Sequence, residues 1–303
     1  MTKWYTLALI NPYYQDNHNL FQSDISFDDV LITKKPTWID REDIKNKFGL
    51  NQRRIIENAE LCFMTEYKAK SLGEPDPLWK GKKQRSKQDL HVEKIMFCNQ
   101  ALWLSQPTSL NFQVLLHIEK RNGKHTGREF STFPAALPHS EDSESLIHQK
   151  NIQEAQTLFS KICSLHRKGS TWIALHNLWS ALSAPQGQWL MRYLLLWIAL
   201  EALFGSDIEI THRLSERISF FIADDRFQAK DLYERSKYCY RWRSKIVHGN
   251  GMDKLTPNDS EKIMYDSEDL VRTALKKILL NDDLINTFSG NGREKCLDEL
   301  IFA

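Results

Sequence analysis

The run from Trp189 to Phe204, WLMRYLLLWIALEALF, constrains the fold most. It is apolar along its whole length except at Arg192 and Glu201. A bilayer span needs about 20 apolar residues, so this run is too short to cross a membrane. A run of this length that is apolar on every side reads as a helix in the core of a helical protein. The segments around it agree. In ITHRLSERISFFI, residues Leu214, Ile218, Phe221 and Ile222 fall at i, i+4, i+7 and i+8, one face of a helix. From residue 146 onward we expect helices at Leu146–His166, Thr171–Ala181, Gln188–Phe204, Ile210–Ala223, Arg226–His248 and Ser260–Leu280. A short tail helix is expected near Glu294–Phe302.

The first half reads differently. Trp4–Ile10 and Val30–Thr33 look like strands, and Arg41–Phe48 and Arg53–Lys70 like helices, the second capped by Asn51. Asp89–Leu104 predicts another helix. Asn111–Glu119 and Glu129–Phe133 predict two strands, with the glycines of RNGKHTG making the turn between them. Pro134–Ser145, rich in Pro, Ser and acidic residues, reads as a linker. At roughly 100–200 residues per domain, 303 residues suggest two domains or one large one. The expected fold is α+β: a mixed α/β domain at 1–137, then an all-α bundle at 146–303.

Composition narrows the function classes. Lys and Arg number 41 and Asp and Glu 39, so a net charge of +2 does not mark a general nucleic-acid binder, and any basic surface must be local. Cys62, Cys98, Cys163, Cys239 and Cys296 are far apart, odd in number and without a CxxC, which argues against a zinc site and a disulfide framework. Reduced cytoplasmic thiols are the simplest reading. The N-terminus lacks the basic region and cleavage site of a signal peptide, so neither export nor membrane insertion is expected.

The segment LYERSKYCYRWRSKIVHGN carries the chemistry. On a helix, Leu232, Ser236, Cys239, Arg243 and Ile246 share one stripe, which puts Arg243 on an apolar face. A guanidinium there must be paired or aimed at an anion. Arg241 and Lys245 point elsewhere. His248 follows five residues after Arg243, a turn of about 140° on a straight helix. Gly249, Asn250 and Gly251 come next and end helices. His248 therefore sits at the helix end, where partial negative charge favours an imidazolium. By spacing alone, Arg-x4-His reads first as a core arginine and a capping histidine.

Three elements in order, RYLLLWIALEALFG, ITHRLSERISFFI and LYERSKYCYRWRSKIVHGNG, resemble the Apea-like branch of the HEPN superfamily. The resemblance covers about residues 186–250 and extends from about 146 to the end, where GREKCLDELIF is compatible with a last helix. It implies a small helical bundle that forms a homodimer, and a metal-independent, cofactor-free endoribonuclease site built from two copies. Arg243 and His248 take the catalytic positions and Ser244 the polar position between them. The implied chemistry is attack of an RNA 2′-hydroxyl on the adjacent phosphorus, in phage defence or as a toxin. The alternative under the same resemblance is a non-catalytic RNA- or nucleotide-binding or dimerisation module with a partner protein of a defence complex, against which retention of the motif argues. Glu201 either orients Arg243 or His248 or pairs with Arg213 or Arg217. Tyr238, Tyr240 and Trp242 either stack bases or pack a core or dimer. Lys80, Lys82, Lys83, Arg85 and Lys87, with Arg241 and Lys245, are candidate RNA-phosphate contacts, the first five alternatively a solvated loop.

Overall fold

The computed structural model describes residues 1–10, 24–77, 84–108, 110, 112–132, 147–184, 188–205, 210–249 and 252–302. These fall into two compact units, one of the described residues up to 132 together with 147–159, the other from Ser160 onward.

The N-terminal unit is built on a six-stranded antiparallel sheet. Its strands are β1 (Thr2–Ile10), β2 (Ile25–Phe27), β3 (Val30–Lys34), β4 (Leu61–Ala69), β5 (Phe112–Arg121) and β6 (Lys124–Thr132), in the order β2-β3-β4-β1-β5-β6. β1 is central and buried on both faces, as the unbroken apolar run LALI requires. On one face, Tyr5, Leu7 and Leu9 pack against Ile39, Ile44, Phe48 and Ile56. The last three come from α1 (Glu42–Lys45), the residues that follow it, and α2 (Leu50–Asn58). On the other face lie Trp4, Tyr67 and Ala69. There α3 (Lys87–Ser105), started by a Ser86–Asp89 capping box, stacks His91 on Tyr67 at 4.4 Å. β5 and β6 form the expected hairpin. Asn122 and Gly123 both have positive φ (50° and 77°), which a two-residue turn between twisted strands needs.

The helix expected at Arg53–Lys70 is corrected. Only its first part is helical, and α2 starts at Gly49 rather than at an Asn51 cap. Ala59 is extended, and Leu61–Ala69 is strand β4, paired with β1 and β3. Thr65, Tyr67 and Ala69 are buried while Glu66 and Lys68 between them are exposed, the period of two that a strand presents. Likewise Arg41–Phe48 holds only a four-residue helix, and β6 begins five residues before the expected Glu129.

His91 gives this unit a pH dependence. Burial pushes its imidazole down to about 4, although Asp29 lies 3.9 Å away, with Lys94 and Arg85 opposing protonation. The unfolded chain takes up a proton near pH 6.5 and the folded chain does not, so stability falls as pH drops from about 6.5 to 4. We expect a loss on the order of 2–3 kcal/mol across that window. Denaturant midpoints at pH 7 and pH 4.5, compared with those of His91→Phe, check it: the variant should lose most of the difference.

The C-terminal part is helical among its described residues: α4 (Gln149–Ser164), α5 (Gly169–Leu182), α6 (Trp189–Phe204), α7 (Ile210–Ile222), α8 (Arg226–Val247), α9 (Pro257–Leu279), α10 (Asp282–Ser289) and α11 (Arg293–Phe302). α4 carries the division between the units, at Phe159. α10, capped by Asn281, was not expected from the sequence. The chain as described is thus mixed α+β, with the sheet confined to the N-terminal unit. No helix among the described residues is long and apolar enough to cross a membrane.

Candidate active site

α8 is 22 residues long and starts at Asp225, whose carboxylate accepts the Gln228 N–H at 2.8 Å. Its buried positions, Ala229, Leu232, Ser236, Cys239, Tyr240 and Trp242, form the stripe that faces the helical core. The helix ends where the glycines require. His248 is the C-cap, its N–H donating to the Ser244 carbonyl at 3.1 Å, and Gly249 takes the left-handed conformation with φ 66°. The His248 side chain is exposed.

Arg243 projects from the same stripe and meets Glu201 of α6. Its Nη2 lies 2.9 Å from one carboxylate oxygen and 3.0 Å from the other. Tyr240 completes the group. Its hydroxyl donates to Glu201 Oε1 at 3.1 Å, and its ring lies 5.6 Å from the guanidinium carbon. Burial, then the neighbouring Glu201 carboxylate, pushes the Tyr240 phenol up to about 12, so it remains a donor at neutral pH. Both charged side chains are part-buried. Arg243 Nε is buried and makes no hydrogen bond.

A scaffold fixes this group from below. Trp197 of α6 packs edge-on against the Tyr240 ring at 5.2 Å. The Trp197 indole N–H donates to Ser267 Oγ of α9 at 3.1 Å, and Tyr193 donates to the Cys239 carbonyl. Five residues before Trp197, Arg192 is buried with Glu268 of α9 at 2.6 Å. Desolvation pulls the Arg192 guanidinium below its ordinary range, and Glu268 opposes that pull. These contacts tie α6, α8 and α9 into one block, with Glu201 and Arg243 at its edge.

The alternatives for Glu201 resolve in favour of Arg243. Arg217 is buried among the Phe204 and Gly205 carbonyls and the carboxylates of Glu294 (2.8 Å) and Asp298 (3.0 Å) on α11. Arg213 lies 3.5 Å from Asp298. Tyr240 and Trp242 are buried, and the Tyr238 hydroxyl donates to Asp259 at 2.9 Å. Arg241 is exposed; Lys245 lies over the Trp242 ring at 4.1 Å; Ser244 is partly exposed.

Of the basic run in the N-terminal unit, Lys80, Lys82 and Lys83 lie outside the described residues. Arg85 is buried beside Glu93 at 2.7 Å. Lys87 pairs with Glu74 at 2.8 Å and donates to the Lys68 carbonyl. Both cations brace the start of α3.

Reasoning from sequence missed the part Tyr240 plays. Its three-residue spacing from Arg243 puts both on one side of α8, and that spacing was the available signal. Tyr240→Phe keeps the ring and removes one hydrogen bond to a carboxylate, so we expect a loss of about 1 kcal/mol in urea unfolding. An unchanged midpoint would show that the bond is not kept in solution.

A cleft of about 810 Å3 lies elsewhere, lined by His212, Glu216, Phe220, Asp224, Lys230 and Tyr233. It flanks the start of α8, ten or more residues and so about 15 Å of helix rise from Arg243. No family model matches the chain, and neither a curated protein nor a solved structure matches it.

Proposed function

We propose that the chain is a metal-independent endoribonuclease of the HEPN type. Its C-terminal helices would form the HEPN-like bundle, and two copies would build the site. The observation that carries this reading is the arrangement at the end of α8. Arg243 is held by Glu201 and Tyr240 with one buried N–H to spare, and His248 stands exposed at the C-cap. The sequence resemblance across α6, α7 and α8 supports it.

In this mechanism His248 accepts the proton of an RNA 2′-hydroxyl as that oxygen attacks the adjacent phosphorus. Arg243 stabilises charge on the non-bridging oxygens. The bond to the 5′-oxygen breaks, and that oxygen takes a proton from the imidazolium of the second copy. The products are a 2′,3′-cyclic phosphate and a 5′-hydroxyl. DNA lacks the nucleophile and is spared. Glu201 is a positioning residue that keeps the guanidinium fork aimed. Ser244 keeps the polar position of the motif without an assigned step. The reading carries with it a cytoplasmic setting and a role in phage defence or as a toxin. The test is cleavage of RNA in the presence of a chelator, wild type beside His248→Ala. Equal cleavage by the two proteins overturns it.

One observation favours a second reading. Arg243 is already neutralised by the Glu201 carboxylate, as in a structural ion pair. The chain would then be a non-catalytic HEPN module that binds RNA or nucleotides or dimerises inside a larger complex. RNA retained in filter binding but never cut would select it.

A further inference from the structure

α7 and α8 are joined by Ala223–Asp225 alone, and the cleft of about 810 Å3 opens between them. The side chains there explain the gap. Ser219, Ala223 and Ala229 are small, so the two helices do not fill the space that separates them. Farther from the connection, the Tyr233 hydroxyl lies 3.1 Å from His212 Nε2 and closes that end. Phe220, Tyr233 and, from α11, Leu300 supply apolar wall, and Phe220 is 39% exposed. A concave space of roughly 300–1,000 Å3 with apolar walls and a few polar groups is the form that small-ligand sites take.

The charges in the lining are sorted by wall. Glu216 stands on α7 and Asp224 in the connection; Arg226 and Lys230 stand on α8, four residues apart. Asp225 is engaged by the cap of α8. The other four carry both signs, yet none forms an ion pair with another or with any described residue. Glu216 is the most enclosed of them, and a part-buried carboxylate without a partner is costly. This pattern narrows the ligand. A polyanion would meet Glu216 and Asp224, and a simple cation would meet Arg226 and Lys230. An uncharged ligand would strip water from all four and return nothing. A ligand positive at one end and negative at the other satisfies both walls. Neighbouring helix axes lie about 8–10 Å apart, too far for the adjacent charges of one amino acid. Two or three extended residues, at about 3.3–3.6 Å each, span it.

We infer that the cleft between α7 and α8 binds a short peptide with free ends, its ammonium group at Glu216 and its carboxylate at Arg226 and Lys230. A large apolar side chain of the peptide lies against Phe220, Tyr233 and Leu300. The site is separate from Arg243 and His248, and the inference does not depend on the ribonuclease reading above.

Isothermal titration calorimetry of the full chain with the tripeptide glycyl-phenylalanyl-glycine tests the proposal. A Kd on the order of 10⁻⁵–10⁻³ M is expected for a ligand of this size. Glu216→Gln keeps the shape and removes the charge, and it should weaken binding about tenfold. Lys230→Gln, at an exposed position, should weaken it about threefold. Both positions reach solvent, so urea midpoints should move little and loss of binding is not loss of fold. Glu261→Gln, at an exposed position on α9, should bind as wild type does. Blocking the peptide assigns its ends. The N-acetylated peptide should bind wild type about tenfold more weakly and be insensitive to Glu216→Gln, and the C-amidated peptide should be insensitive to Lys230→Gln. No binding at millimolar peptide overturns the proposal. So does binding that neither lining variant weakens, or that both blocked peptides retain in full.

Discussion

His248→Ala is expected to reduce RNA cleavage by about 10²–10⁴-fold, with binding of intact RNA little changed. The imidazole sits at an exposed C-cap, so its removal should cost little stability. The helix should still end at Gly249, because the left-handed residue and the backbone bonds of the last turn remain. A fall in rate without a fall in melting temperature is therefore the signature of catalysis. Arg243→Ala should lose a similar factor, since one well-placed donor to developing phosphoryl charge is worth about 10²–10³. Arg243→Lys is informative beside it. It restores the charge without the planar fork, so cleavage should stay well below wild type. Product ends distinguish the proposed reaction from metal-dependent hydrolysis: a 2′,3′-cyclic phosphate persists when a chelator is present. Wild-type rates in both alanine variants would remove the pair from the mechanism.

The largest stability effect is expected at a different pair. Arg192 and Glu268 are 4% and 3% exposed and lie 2.6 Å apart between α6 and α9. Glu268→Ala would leave a guanidinium in the core without its carboxylate, which costs about 3–5 kcal/mol. Urea unfolding followed by far-ultraviolet circular dichroism should show the helical signal lost at a much lower midpoint. The double variant Arg192→Met, Glu268→Leu removes both charges and keeps comparable volume. It should recover most of that loss and can exceed wild type by about 1–4 kcal/mol. A double variant as unstable as Glu268→Ala would mean that the pair stabilises by more than mutual neutralisation.

These two pairs also mark how far the sequence is legible. Helices with one apolar stripe announce themselves: Leu214, Ile218, Phe221 and Ile222 are all buried on α7, as their spacing requires. The end of α8 is equally plain, because glycine after His248 can take a conformation that other residues avoid. β4 was not legible. Met64, Glu66 and Lys68 are good helix formers, and the pairing with β1 that overrides them comes from residues some sixty positions away. The stripe showed that Arg243 needed a partner but did not choose it. Glu201 is 42 residues distant and on another helix, and only the packing of α6 on α8 excludes Arg213 and Arg217. The same holds for Arg192, whose interruption of the apolar run has its reason in α9.

The central position of β1 has a consequence in time. Its neighbours are β4 and β5, and its register pairs Lys3 with Lys120. β1 therefore leaves the ribosome long before its second partner is made, and is among the last strands to be completed. At about 5–20 residues per second, WYTLALI waits roughly 6–24 s for its second partner to be synthesised. Contacts that span so much chain also slow refolding, whereas neighbours such as α5 with α6, or α7 with α8, close over short loops. The helical end of this protein should thus regain its structure first, and yields in the cell should depend on what shields an apolar N-terminal strand until its sheet exists.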